Sequence, residues 1–382
     1  MALITYLTRI QIDFGALKLL DAELQLLGIR RPLIVTDQGV IAAGLWARVQ
    51  EQLPGNMPVT LYDRTPENPT EAAMRDALHA YREAGCDGII AVGGGSPMDL
   101  AKAVALMATH PGPSLQAYSF VEGGSHKITA KVAPMVAIPT TSGTGSEVSR
   151  GGVLVMDSGR KLAVGSPHLI PRLALIDPEL TIGLPRHLTA GTGMDAFTHN
   201  IECYLSNVFN PPADAIALDG LHKAWTHIER ATKDGQDREA RYHMAVAAME
   251  GAMVFQKGLG AVHALSHPTG GLKGYRTHHG TLNAVFLPAV LRFNAPVAGD
   301  KFKRVAQVMG LPEREGHAQG VAAAVAALNE RLGIPKGLAS MGLKQEVVEA
   351  IADGALGDHC HQSTPRQPTR AQYIELIEQS WG

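Results

Sequence analysis

Up to Asp177, short apolar runs alternate with stretches of helical period; beyond it the apolar runs stop. Pro32-Leu33-Ile34-Val35-Thr36, Val59 to Tyr62, Gly88-Ile89-Ile90-Ala91-Val92, Met135 to Ile138 and Leu173 to Ile176 read as strands. Gly88 to Val92 and Met135 to Ile138 are apolar on successive residues rather than on alternate ones, which is what a strand covered on both faces requires. Between them, Val40 to Leu53, Thr70 to Glu83 and Met98 to Thr109 space their apolar residues as helices do. A hairpin is expected from Val153 to Met156 and Lys161 to Val164, around Asp157-Ser158-Gly159-Arg160. This order predicts a doubly wound, Rossmann-like parallel α/β domain over residues 1–180. After Asp177-Pro178, stretches rich in alanine and methionine, such as Arg241 to Phe255 and Gly320 to Leu332, predict an all-helical domain over residues 181–382.

The composition narrows the classes of function. The 382 residues are 45% hydrophobic, enough for two full cores. Lys and Arg total 34 against 36 acids, a net charge of -2, with no basic run to track a phosphate backbone, so no nucleic-acid partner is expected. No apolar stretch reaches the roughly 18 to 20 residues that span a bilayer, so no membrane partner is expected either. The start, Met1 to Arg9, lacks a basic region followed by a long apolar one, and Cys86, Cys203 and Cys360 cannot all pair. Both features lead to the expectation of a cytoplasmic protein.

Two loops follow buried strands. Gly93-Gly94-Gly95-Ser96-Pro97-Met98-Asp99 joins the strand ending at Val92 to the helix expected near Met98. Its glycines allow backbone N–H groups to approach an anion, Ser96 is suited to capping the helix, and Pro97 to its first position. The same residues would also serve an ordinary strand-to-helix turn. Pro139-Thr140-Thr141-Ser142-Gly143-Thr144-Gly145-Ser146-Glu147 offers a second run of hydroxyls and small residues, and together the loops point to a nucleotide. Asp37, at the tip of the strand Leu33 to Thr36, either holds adenosine ribose hydroxyls, favouring NAD over NADP, or starts a helix.

The remaining chemistry is in the helical half. Asp195 and His199 are four residues apart, as are His263 and His267, so each pair shares one helix face. His278-His279-Gly280 follows, and the chain holds 16 histidines in all, so one coincidental pair would mean little. Two pairs make a metal site the better reading. A carboxylate oxygen with imidazoles suits Fe²⁺ or Zn²⁺ and suits Mg²⁺ or Ca²⁺ poorly.

With Asp37, both loops, Gly193-Met194-Asp195-Ala196 and the histidine run to Gly280 in this order, the chain resembles the iron-dependent (group III) alcohol dehydrogenases over nearly its whole length. The resemblance implies a dehydroquinate synthase-like helical domain. It implies a metal held by Asp195, His199, His263 and His279, with His267 as a non-ligand that helps proton movement beside the nicotinamide. It implies NAD contacts from Asp37, Asn68, Gly94, Gly95, Ser96, Asp99, Thr140, Thr141, Thr144 and Lys161. It also implies a homodimer, in which a strand around Leu7 to Ile12 pairs across the interface. The chain departs from the family pattern at Ser266, where alanine is usual, at His278, where proline is usual, and in a longer interval from His267 to His279. The ligand is assigned to His279 because it precedes the glycine; His278 is the competing choice.

Within the family the pattern is most similar to the bacterial 4-hydroxybutyrate dehydrogenases, through Asn210-Pro211-Pro212-Ala213-Asp214 and Gly270-Gly271-Leu272-Lys273. That implies a small-molecule alcohol, 4-hydroxybutyrate, oxidised to succinate semialdehyde, with Arg150, Lys273, Arg276 and His361 as candidates for its carboxylate. Asp358-His359-Cys360-His361 has the look of a second metal cluster, but the resemblance implies a pocket wall. Competing readings are a general short-chain alcohol or diol dehydrogenase, a maleylacetate reductase, a metal-dependent cyclase of the dehydroquinate synthase type, and a nucleotide-binding scaffold. Asp195 argues against the reductase, and net NAD turnover separates the cyclase.

Overall fold

The computed structural model describes residues 8–110, 112, 114–312 and 318–382. The N-terminal stretch through Leu7, in which no leader was read, lies outside them. The contacts of the described residues divide the chain into two compact units. One runs through Thr141 and resumes at Gly145–Gly183; the other comprises Ser142–Thr144 and Leu184–Gly382.

The first unit is built on six parallel strands: β1 (Arg9–Ile12), β2 (Pro32–Val35), β3 (Thr60–Tyr62), β4 (Gly88–Gly93), β5 (Met135–Pro139) and β8 (Leu173–Ile176). Their order is β1-β8-β5-β4-β2-β3, and an antiparallel hairpin, β6 (Gly151–Val155) with β7 (Lys161–Gly165), stands apart. Successive residues of the central strands face opposite cores. Leu33, Val35, Ile89, Ala91, Met135 and Ala137 pack on one side, while Ile34, Ile90, Val92, Val136 and Ile138 pack on the other. This is why those strands read as unbroken apolar runs. The covering helices are α1 (Leu20–Leu27), α2 (Gln38–Ala42), α3 (Leu45–Gln50), α4 (Glu71–Glu83) and α5 (Gly95–Thr109). The single helix expected from Val40 to Leu53 is therefore two, broken at Gly44, whose φ of 71° is open to glycine at little cost. β1 pairs in parallel with β8 of its own chain and occupies one edge of the sheet.

The described residues of the second unit form helices joined by loops, with no strand. Its helices are α6 (Arg186–Leu205), α7 (Pro211–Lys233), α8 (Arg238–Met253), α9 (Ala261–Gly270), α10 (His279–Asn294), α11 (Gly299–Val308), α12 (Ala318–Leu332), α13 (Val348–Leu356) and α14 (Arg370–Gln379). α6 is buried on every side from Thr189 to Leu205, so it shows no clean polar face and its polar residues must find partners inside the protein. Thr198 donates to Met194 O at 2.7 Å, and Asn200 Nδ2 donates to Ala196 O and Ala247 O. Glycines let neighbours close on this helix: a Cβ at Gly193 would lie 2.8 Å from Ile228, and one at Gly251 would lie 2.9 Å from His199. No helix among the described residues is long and apolar enough to cross a membrane.

Candidate active site

The first loop leaves β4 through Gly93, whose φ of 149° suits only glycine and where a Cβ would lie 2.6 Å from Pro97 Cγ. α5 begins at Gly95, three residues before the expected start, with Gly94 as its N-cap and no side chain capping it. Ser96 is therefore not the cap; its hydroxyl donates to Glu67 O instead. Pro97 is the third helical residue, where its missing N–H again costs no intrahelical bond. Thr140 N donates to Gly93 O at 3.0 Å, so the two loops leave adjacent strand ends side by side, and Thr141 Oγ1 would lie 3.3 Å from a Cβ at Gly94. Thr144 falls in the three-residue segment that groups with the helical unit.

Asp37 is the N-cap of α2, with Oδ1 accepting from Val40 N at 2.9 Å. Lys161 Nζ donates to Asn68 Oδ1 at 2.9 Å, bringing those two predicted residues together. Asp99 has both oxygens occupied, accepting from Ser146 Oγ at 2.7 Å and Val153 N at 2.8 Å. It thereby ties α5 to the second loop and the hairpin. Below it Lys102 Nζ donates to Ser146 Oγ, Ser149 Oγ and Gly151 O. Burial pushes Lys102 down to about 8 and the neighbouring Glu147 carboxyl up to about 7 from its ordinary 4.5.

That shift sets a pH dependence. A carboxyl that holds its proton more tightly when folded contributes stability below pH 4.5, and that contribution is lost as pH rises through about 7. Glu147→Gln is expected to match the parent chain in urea unfolding at pH 4.5 and to exceed it by on the order of 2 to 3 kcal/mol at pH 8. An equal difference at both pH values would contradict the assignment.

The helical unit gathers the second constellation. Asp195, His199, His263 and His279 each offer one donor atom within 4.8 Å of the others. Asp195 Oδ1 lies 3.3 Å from His199 Nε2, 3.7 Å from His263 Nε2 and 3.6 Å from His279 Nε2. α6 supplies the first two residues, α9 the third and α10 the fourth. His278 is turned away as the N-cap of α10, its Nδ1 3.1 Å from Thr281 Oγ1, so His279 is the histidine of the pair that enters the cluster. α6 and α10 meet closely here: a Cβ at Gly280 would lie 2.1 Å from Gly191 O.

Two side chains not anticipated from the sequence hold the cluster. Glu202 lies three residues after His199 and seven after Asp195, on the same face of α6. Its Oε2 meets His263 Nδ1 at 2.7 Å, and it accepts from Gly260 N and Val262 N at the start of α9. A carboxylate there orients the imidazole so that Nε2 faces the cluster, and Gly260 is required because a Cβ would lie 2.6 Å from Glu202 Oε1. Asn283, four residues after His279 and fully buried, places Nδ2 2.7 Å from Asp195 Oδ1 and 3.1 Å from His263 Nε2. Spacing on α6 and α10 was the available clue to both.

The charges fit a divalent cation. Burial alone would raise Asp195, but His199, His279 and His263 hold it well below the usual carboxylate range. Burial lowers His199 to about 4, leaving a neutral imidazole, whereas Asp195 and Glu202 overcome burial to raise His263 to about 9. Two buried carboxylates thus draw positive charge into a set of one oxygen and three nitrogens, the donor chemistry of Fe²⁺ or Zn²⁺.

His267 lies one turn beyond His263, and its Nδ1 is 2.9 Å from Asp358 Oδ2. Its ring stacks on that of His279 at 5.5 Å. Among the cations considered for a substrate carboxylate, Lys273 and Arg276 are exposed on the loop of residues 271–278 that joins His267 to His279. Arg150 is in the α/β unit next to β6. His361 contacts Tyr373 Oη at 3.0 Å and is lowered by burial, which suits it poorly to pairing with an anion.

A parallel sheet with paired small-residue loops, followed by helices carrying one carboxylate among three imidazoles, defines a class, and the chain belongs to the iron-containing alcohol dehydrogenase family. The model "Iron-containing alcohol dehydrogenase" matches residues 8–178, and "Fe-containing alcohol dehydrogenase family, C-terminal" matches residues 189–381. It is accordingly an oxidoreductase of the alcohol dehydrogenase type. The chain is 56% identical to 4-hydroxybutyrate dehydrogenase of Cupriavidus necator over the whole of both chains. It is 34% identical to NAD-dependent methanol dehydrogenase of Bacillus methanolicus, over 95% of this chain and 96% of that one. The crystal structure of 1,3-propanediol oxidoreductase superposes with a TM-score of 0.93 at 34% identity, covering all of both chains.

Proposed function

We propose that the chain is an NAD-dependent, Fe²⁺-type dehydrogenase that interconverts 4-hydroxybutyrate and succinate semialdehyde. The observation that carries this reading is the convergence of Asp195, His199, His263 and His279, with Glu202 behind His263, in a chain so similar to the Cupriavidus necator enzyme. These four residues hold the metal; Zn²⁺ satisfies the same donors. Asp37, Asn68, Gly94, Gly95, Ser96, Thr140, Thr141, Thr144 and Lys161 contact the dinucleotide, and Asp99 fixes the loop that does so. Residues 1–180 act as the dinucleotide-binding domain and 181–382 as the metal and substrate domain. The enzyme works in the cytoplasm as a homodimer joined through the edge strand β1, whose outer backbone groups are suited to pairing.

When bound, the metal supplies Lewis acidity at the alcohol oxygen and the nicotinamide supplies a hydride acceptor. Glu202, meeting His263 Nδ1, orients that imidazole so that its Nε2 faces Asp195 and the other donors. Asp358 accepts a hydrogen bond from His267 Nδ1–H, fixing the tautomer that leaves an Nε2 lone pair to receive the hydroxyl proton. Lys273 and Arg276 on the α9–α10 loop take the substrate carboxylate.

The test is kcat/KM with NAD for 4-hydroxybutyrate against 1,4-butanediol. The hydroxy acid is expected to win by roughly 30-fold, the worth of one or two charge-assisted hydrogen bonds. The double variant Lys273→Ala, Arg276→Ala should lose that advantage through KM while leaving the diol unchanged. Equal or better turnover of the diol by the parent chain would overturn the carboxylate reading and leave the metal site standing.

A further inference from the structure

The turn after α13 brings a second group of donors together. Asp358 caps a short turn over His359–Ser363, its Oδ1 accepting from Cys360 N at 2.8 Å. Its other oxygen meets His267 Nδ1 at 2.9 Å. His359 Nδ1 lies 3.5 Å from Asp358 Oδ1, and His359 Nε2 lies 3.5 Å from Cys360 Sγ. The rings of His267 and His359 are stacked at 5.7 Å and 15°. One donor atom from each of His267, Asp358, His359 and Cys360 falls within 4.8 Å of the others. Two nitrogens, an oxygen and a sulfur at these separations need small movements to become tetrahedral ligands at ordinary bond lengths. The sulfur makes this set softer than the oxygen and three nitrogens of the first cluster, so it shifts the preference toward softer cations such as Cd²⁺. Cys360 is 1% exposed, and burial holds its thiol well above the usual range, so the sulfur keeps its proton until a bound cation displaces it.

We propose that His267, Asp358, His359 and Cys360 form a second cation site, selective for soft divalent ions of the Zn²⁺ and Cd²⁺ type, and that filling it shuts the proton path through His267. The site is independent of the reading given under Proposed function; the shutting of the path rests on it. Binding forms bonds from the cation to Cys360 Sγ, His267 Nδ1, a His359 nitrogen and an Asp358 oxygen. The Cys360 thiol proton leaves to solvent. The proton on His267 Nδ1 moves to Nε2, so the imidazole stays neutral, and thiolate plus carboxylate balance the dication. Nε2 then carries a hydrogen and has no lone pair with which to accept a proton from substrate. No redox change occurs.

The experiment titrates CdCl₂ into the full-length protein loaded anaerobically with Fe²⁺. The expected result is one further cation bound with iron retained, one proton released, and near-ultraviolet absorption from a cadmium thiolate, which the first cluster cannot give because it holds no sulfur. Alcohol oxidation should fall in proportion to that absorption. Cys360→Ser should abolish the absorption, and His359→Gln should weaken cadmium binding by at least roughly tenfold, since losing even an outer partner of a metal ligand costs that much. Cadmium that only displaces iron, without thiolate absorption, would overturn the proposal, as would absorption undiminished in Cys360→Ser. Should Cys360→Ser fail to fold, unchanged affinity in His359→Gln overturns it alone. Full turnover with the absorption present overturns the shutting of the path and the proton role of His267, without touching the metal role of Asp195.

Discussion

Asp195→Ala should fold, carry no iron and oxidise alcohol at least about a thousandfold more slowly than the parent chain, a loss of about 4 kcal/mol in transition-state stabilisation. Asp195 is the carboxylate that three imidazoles share: its Oδ1 is within 3.3 to 3.7 Å of His199, His263 and His279. Removing it leaves neutral nitrogens to hold a dication in a buried site, with one anion fewer to offset its desolvation. Alanine is a good helix former at the centre of α6, so the helix itself should persist. Metal content by elemental analysis, set beside far-ultraviolet circular dichroism, separates loss of metal from loss of fold. Parent-level iron or parent-level turnover in this variant would remove Asp195 from the metal site.

Gly280→Ala should unsettle both the fold and the cluster. The added Cβ would lie 2.1 Å from Gly191 O and 3.0 Å from Asp195 Cβ, and neither neighbour is the end of a flexible side chain. α10 must therefore move off α6, at a cost on the order of 2 to 3 kcal/mol in urea unfolding. The same movement carries His279 away from Asp195, so Fe²⁺ affinity should fall together with stability. Gly299→Ala is the control: it is also helical, but nothing lies within 4 Å of its added Cβ. Equal unfolding midpoints for the two variants would mean that the α6–α10 contact is looser than described.

The parallel sheet was legible because strands buried on both faces must be apolar at every residue, as Gly88 to Val92 and Leu173 to Ile176 are. The break at Gly44 was not, because the residues around it keep helical spacing on both sides and only the backbone conformation of one glycine divides them. The start of α5 was misplaced for a related reason: Ser96 and Pro97 resemble a cap and first turn, but Gly95 before them is already the first helical residue and the extended Gly94 is the cap. In the helical unit, four-residue spacing placed Asp195 with His199 correctly on one face. The same rule paired His263 with His267, which share a helix but have different neighbours, Glu202 for one and Asp358 for the other. Such partners arrive from distant segments. Glu202 reaches His263 across 61 positions and Asp358 reaches His267 across 91, and no local period encodes either distance. His279 was favoured over His278 by the glycine that follows it, and His278 capping α10 is what takes the competing histidine out of the cluster.

The most direct test of the central claim is NADH formation from 4-hydroxybutyrate by protein stripped of metal and then titrated anaerobically with Fe²⁺. The account predicts no turnover in the stripped protein and a rise that saturates at a single equivalent of iron. Full turnover by the stripped protein, confirmed by elemental analysis to hold no metal, would contradict it.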